Sequence, residues 1–157
     1  MNPEPDNLSS YKGIYILIIY LNKGTEITIG KLGTFLLKKG YYIYIGSALN
    51  RLQKRVERHL SSHKKLHWHI DYLLDYAKII NVYVFETLNR DECNLSKEIS
   101  LLPESQTIID GFGSSDCACK THLYFFKKRP EFKTNIPDNR SSLILHRIKD
   151  YVTVHMV

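Results

Sequence analysis

The order of apolar and polar positions divides the chain into short strands and helices. Residues 1–10 carry two prolines and no periodicity, and read as a loose leader. Residues 11–21 form a nearly unbroken run of Ile, Leu and Tyr that ends at Asn22-Lys23-Gly24, the pattern of a buried strand meeting a turn. Residues 26–29 alternate polar with β-branched side chains, Gly30-Lys31-Leu32-Gly33 turns the chain, and residues 34–37 repeat the pattern, so a small hairpin is expected. Residues 41–45 alternate Tyr with Ile, which puts Tyr42 and Tyr44 on one face of a strand and Ile43 and Ile45 on the other.

Residues 50–61 carry a helical stripe whose core-side positions are Leu52, Arg55, Val56, His59 and Leu60. At about 100° per residue these span an arc of about 140°, with Arg55 and His59 along one edge. A buried, unpaired guanidinium would cost several kcal/mol, so that edge borders either a structural salt bridge or a cleft holding anions or carboxylates. Residues 67–74 read as a second helix or a strand–helix junction, and residues 79–86 as a strand. Asn89 is placed to cap a following helix with Glu92 at the capping-box position, and Leu95 and Ile99 continue its apolar stripe. Residues 106–112 suggest another strand, residues 113–116 a loop, and residues 122–126 a last strand. Beyond Lys127 the chain turns polar, with Pro130 and Pro137, before a weak amphipathic helix over residues 142–152.

The expected organisation is therefore one α+β domain over residues 11–126 and an extension over 127–157, with no internal repeat. A chain of 157 residues suffices for one core, and 43% hydrophobic with 24% charged residues places it outside the disordered range. The formal net charge of +6 decides little by itself, but its distribution is uneven. Between positions 51 and 69 stand Arg51, Lys54, Arg55, Arg58, Lys64 and Lys65 with His59, His63, His67 and His69, opposed by Glu57 alone. Trp68, Tyr72 and Tyr76 add stacking faces, which fits phosphate and nucleic-acid binding as well as a solvated helix face. Three cysteines cannot form an all-paired disulfide framework, and the longest apolar run is far below the ~20 residues of a membrane span, so a cytoplasmic setting is expected.

Gly13-Ile14-Tyr15, then Tyr44-Ile45-Gly46, then Arg55 and His59 nine and thirteen residues after Gly46, then Glu92 opening a helix, resemble the GIY-YIG endonuclease superfamily. The hairpin, Gly46-Ser47-Ala48, His67-Trp68-His69-Ile70-Asp71, Glu92-Cys93 and Gly113-Ser114-Ser115-Asp116-Cys117 through His122-Leu123 are similar to its Uri branch, over about residues 11–126. The resemblance implies a three-stranded antiparallel sheet flanked by helices, and hydrolysis of DNA phosphodiester bonds with Mg²⁺ or Mn²⁺, in repair or processing. It gives Glu92 to the metal, Arg55 to the scissile phosphate, His59 to the same phosphate or a water, and Tyr15 and Tyr44, expected to face each other across adjacent strands, to the attacking water. Arg51, Lys54, Arg58 and His69 are expected to bind substrate, with Ser47 and Asp116 or Ser115 as accessory positions. An ordinary tyrosine is ~3 pH units, or ~4 kcal/mol, from a phenolate at neutral pH, so Tyr15 as general base needs cationic help. Many relatives carry a Lys or His directly after the YIG glycine; here that position is Ser47, and His59, Arg55 or the metal must substitute.

Three other readings compete. Cys117-Ala118-Cys119 with His122, joined by Cys93, offers a Cys₃His zinc set, although its C-x-C spacing is tight and the cysteines are equally explained as small buried hydrophobes. His59, His63 and His67 recur at helical spacing and, with Asp71, suggest a histidine-based hydrolase if the helix continues through Ser61 and Ser62. A nucleic-acid-binding module could also keep the fold without the chemistry.

Overall fold

The structure is a computed structural model and describes residues 13–48, 52–62, 64–86, 92–115, 117–130 and 153–156. Its strands are β1 (Gly13–Leu21), β2 (Thr25–Ile29), β3 (Gly33–Leu37), β4 (Gly40–Ala48), β5 (Lys78–Glu86), β6 (Gln106–Thr107), β7 (Leu123–Phe126) and β8 (Thr153–Met156). Its helices are α1 (Leu52–Leu60), α2 (His69–Leu74) and α3 (Glu92–Ser100). Six strands form one sheet in the order β6-β7-β4-β1-β5-β8, antiparallel except that β8 runs parallel to β5. The fold is thus α+β, with a mostly antiparallel sheet and three helices among the described residues.

The unbroken apolar run of β1 follows from its place: it lies between β4 and β5 and is covered on both faces. One face carries Tyr15, Leu17, Ile19, Tyr42, Tyr44, Val82 and Val84 and packs against Leu52 and Val56 of α1, Ile70 and Leu73 of α2, and the β2–β3 hairpin. The other carries Ile14, Ile16, Ile18, Ile43 and Ile45 and packs against Leu95 and Ile99 of α3. The Tyr/Ile alternation of β4 is therefore a division between two cores. Leu52 and Val56 are fully buried and fix the rotation of α1; removing the Leu52 side chain would cost about 2–5 kcal/mol.

The expected hairpin is present as β2–β3, closed by the Leu32 N–H donating to the Ile29 carbonyl at 2.8 Å. The strand expected over 106–112 stops at Thr107. Gly111 and Gly113 take positive φ of 81° and 67° and curl the chain into a loop, with Gly111 N–H bonded to Lys120 O at 2.7 Å and His122 N–H to Phe112 O at 2.8 Å. Strand β8 was not expected from the pattern. The helix expected over 142–152 and the cap at Asn89 lie outside the described residues.

Candidate functional site

One end of the sheet, where β1 begins and β4 ends, carries a cleft of about 340 Å³. Its lining includes Tyr15 from β1, Tyr44, Gly46 and Ser47 from β4, Arg55 from α1, and Glu92 from the first turn of α3. His67, Trp68 and His69 close a second side, and Gly113 and Ser115 a third. Because α3 packs on the opposite face of the sheet from α1, Glu92 meets Arg55 only at this end. Glu92 is the sole carboxylate in the lining among the described residues and stands in the first turn of α3.

Tyr15 pairs in register with Gly46, and Tyr44 with Leu17, so the two tyrosines lie diagonally on one face with ring centroids 6.3 Å apart. The expected pair thus faces each other across adjacent strands, offset by two residues in register. A Cβ at position 46 would collide with the Tyr15 ring, so glycine there lets the phenol lie across the backbone of β4. Gly113 plays a similar part beneath Tyr44, whose Cε2 would stand 2.9 Å from an added Cβ.

The Tyr15 hydroxyl lies 2.7 Å from His59 Nε2, and both residues are buried. Burial first, then the neighbouring Tyr44, holds the Tyr15 phenol well above its usual range, while the Arg55 guanidinium acts the other way. Burial likewise lowers His59 to about 3, so its imidazole is neutral near pH 7. Nδ1 of His59 is buried without a hydrogen-bond partner. An orphaned acceptor is tolerated better than an orphaned N–H, which favours the tautomer in which Nε2–H donates to the Tyr15 oxygen. The phenol's own proton is then left to point elsewhere.

Arg55 Nη1 reaches the Ser47 carbonyl at 3.4 Å, bringing a cation to the position whose own side chain carries none. Its guanidinium also lies 4.5 Å from the centroid of Trp68, over which Arg58 stands at 4.3 Å. Arg58 itself is held by the buried Asp71 through bonds of 2.9 and 3.0 Å and donates to Lys65 O, so it supports the cleft through Trp68. Asp71 also accepts the backbone N–H groups of His67 and Trp68, closing the start of α2. Burial alone would raise the Asp71 pKa, but these bonds prevail and lower it. His69 accepts the Gly113 N–H at Nδ1, 3.0 Å away, which fixes the neutral tautomer and ties the 111–122 loop to α2.

Of the expected substrate contacts, Lys54 is exposed on α1 outside the cleft lining and Arg51 lies outside the described residues, as does Asp116, expected as an accessory position. The sequence did not single out Trp68 as the shared platform of Arg55 and Arg58, nor Asp71 as the anchor beneath it. The histidine row is not assembled: α1 ends at Leu60, His59 faces Tyr15, Asp71 holds Arg58, and His63 is outside the described residues.

Next to Glu92 in the chain, Cys93 joins Cys117, Cys119 and His122 in a cluster whose ligand atoms lie within 4.8 Å of one another. The cysteines are free thiols, and the Cys93 thiol is pushed up to about 12, chiefly by its hydrogen bond with Cys119.

Fold and cleft define a small α+β protein with a polar site at one end of a mostly antiparallel sheet. The chain belongs to the family described as domain of unknown function DUF123, whose model matches residues 14–145. No curated protein and no solved structure matches it. No helix among the described residues is long and apolar enough to cross a membrane.

Proposed function

We propose that this protein is a divalent-metal-dependent DNA endonuclease of the GIY-YIG type, with β4-β1-β5 as the three-stranded core of that fold. The observation that carries the reading is the meeting of Tyr15, Tyr44, Arg55 and Glu92, from four separate elements, around one cleft at Gly46. A structural salt bridge would explain Arg55 without the two tyrosines, and helix capping would explain Glu92 without the arginine.

A single carboxylate in an open, water-accessible cleft suits Mg²⁺ or Mn²⁺, which keep several waters beside a substrate phosphate. Glu92 would hold that ion, with Ser115 nearby; when bound, it polarises the phosphoryl oxygen and stabilises the departing one. Arg55, oriented by Trp68 and the Ser47 carbonyl, binds the scissile phosphate through its planar fork. To act as base Tyr15 first releases its hydroxyl proton to solvent in the cleft; the phenolate, stabilised by a hydrogen bond from His59 Nε2–H and by Arg55, then takes the proton of the attacking water and returns to the neutral phenol. That pair supplies the cationic and hydrogen-bonding help that Ser47 does not. Tyr44, on the same face, orients the water.

The test is a Glu92→Gln variant, which keeps side-chain size and removes the charge. Nicking of DNA in Mg²⁺ should fall by at least about a hundredfold, while circular dichroism and melting stay near the parent's. A variant that nicks as fast as the parent places the chemistry elsewhere.

A further inference from the structure

We propose that Cys93, Cys117, Cys119 and His122 form a closed tetrahedral zinc site that clamps the first turn of α3 to the 111–122 loop and to β4. The zinc itself is independent of the nuclease reading; its bearing on Glu92 as a metal ligand rests on that reading.

The four donors come from three separate places: the start of α3, the tip of the loop, and the residue before β7. Buried hydrophobic cysteines have no reason to converge on a histidine nitrogen, yet here all four ligand atoms lie within 4.8 Å of one another. In a tetrahedron with Zn–S near 2.3 Å and Zn–N near 2.05 Å, neighbouring S and N stand about 3.6 Å apart. Cys117 Sγ and His122 Nε2 are 3.4 Å apart. The remaining donors need to close by about an ångström at most.

The histidine is also prepared as a ligand. Its Nδ1 lies 3.2 Å from the Ile45 carbonyl, so Nδ1–H donates there and Nε2 is left with its lone pair toward the sulfurs. His122 is buried, and the Ile45 N–H returns a bond to the His122 carbonyl at 3.1 Å. Among the described residues the cluster holds three thiolates and one imidazole, a soft set that selects zinc over Mg²⁺ or Mn²⁺. Binding is balanced by release of the three thiol protons, which leaves a ZnS₃N centre of charge −1.

The consequence for the cleft follows from adjacency. Cys93 is the next residue after Glu92, Cys117 follows Gly113 and Ser115 in the same loop, and His122 is bonded to Ile45, the neighbour of Gly46. One ion thereby fixes three of the cleft's walls relative to each other.

The test uses the full chain purified without added chelator. Elemental analysis should find about one zinc per chain after dialysis against a mild chelator, and replacement by Co²⁺ should give tetrahedral d–d bands with thiolate charge-transfer absorption. Cys119→Ala should lower zinc retention at least about tenfold, whereas His122→Cys, which restores four donors, should keep the ion and strengthen the charge-transfer band. If Cys119→Ala fails to fold, the parent's zinc content and cobalt spectrum still decide. Zinc below about one ion per ten chains without a cobalt thiolate band, or a disulfide between two of these cysteines in its place, overturns the site. No nucleic acid enters these measurements. A chain that holds zinc and cuts nothing sinks the nuclease reading alone, and a chain that cuts without zinc sinks this one alone.

Discussion

Tyr15 packs against the rings of Tyr44 and His59 in the cleft that Arg55 also lines. Its reactivity depends on geometry at Gly46, and Gly46→Ala tests this directly. The added methyl meets the Tyr15 ring, so the variant should lose about 1–3 kcal/mol in urea unfolding and most of its nicking activity. Tyr15→Phe should keep the fold and lower the cleavage rate about 10²- to 10⁴-fold, with a smaller loss for Tyr44→Phe. His59 gives a second handle. Its pKa lies near 3 in the folded protein and near 6.5 when unfolded, so between those values the unfolded chain binds the extra proton. Stability is therefore full above about pH 6.5 and falls as the pH drops toward 3, with a slope up to about 1.4 kcal/mol per pH unit from this residue. Urea midpoints at pH 7 and pH 5 should separate for the parent and draw together in His59→Gln; equal separations would show that His59 is not the titrating group.

At the scale of elements, α2 holds the cleft's second side because Asp71 binds both Arg58 and the backbone that precedes the helix. Asp71→Ala leaves Arg58 without its partner and should cost about 3–5 kcal/mol in chemical denaturation. Arg58→Ala should cost less, since the carboxylate keeps two backbone donors, and the difference between the two variants measures how the anchor is shared. Much of this was legible in advance. The stripe Leu52, Val56 and His59 gave α1 its buried face, and the Tyr/Ile alternation of residues 41–45 gave the two faces of β4. Other parts were not legible, for physical reasons. Residues 108–112 read as strand because Ile and Phe dominate them, yet two glycines with positive φ and bonds to Lys120 and His122 decide their course. The diagonal of Tyr15 and Tyr44 depends on inter-strand register, which one strand's pattern does not carry. The side of the sheet that α3 takes, and hence the meeting of Glu92 with Arg55, is likewise set by tertiary packing.

Across the whole molecule, a net charge of +6 and the cationic stretch around α1 favour a polyanionic partner, and binding to duplex or single-stranded DNA should weaken steeply from about 50 to 200 mM salt. Affinity that ignores salt would separate this surface from phosphate recognition. The sheet extends beyond the three strands that the resemblance implies, to β7 and β6 on one side and to β8 on the other. Strand β8 pairs parallel with β5 from Asn81 to Val84, so residues of the C-terminal extension join the same sheet as β1. The alternation in residues 152–156 was the available signal, and it is short enough to be read either way. The most direct measurement is cleavage of a panel of labelled single-stranded, duplex, flap and abasic DNAs with Mg²⁺ or Mn²⁺, each with and without chelator. The account predicts discrete products on at least one substrate that disappear with chelator. No metal-dependent product on any of them would contradict it.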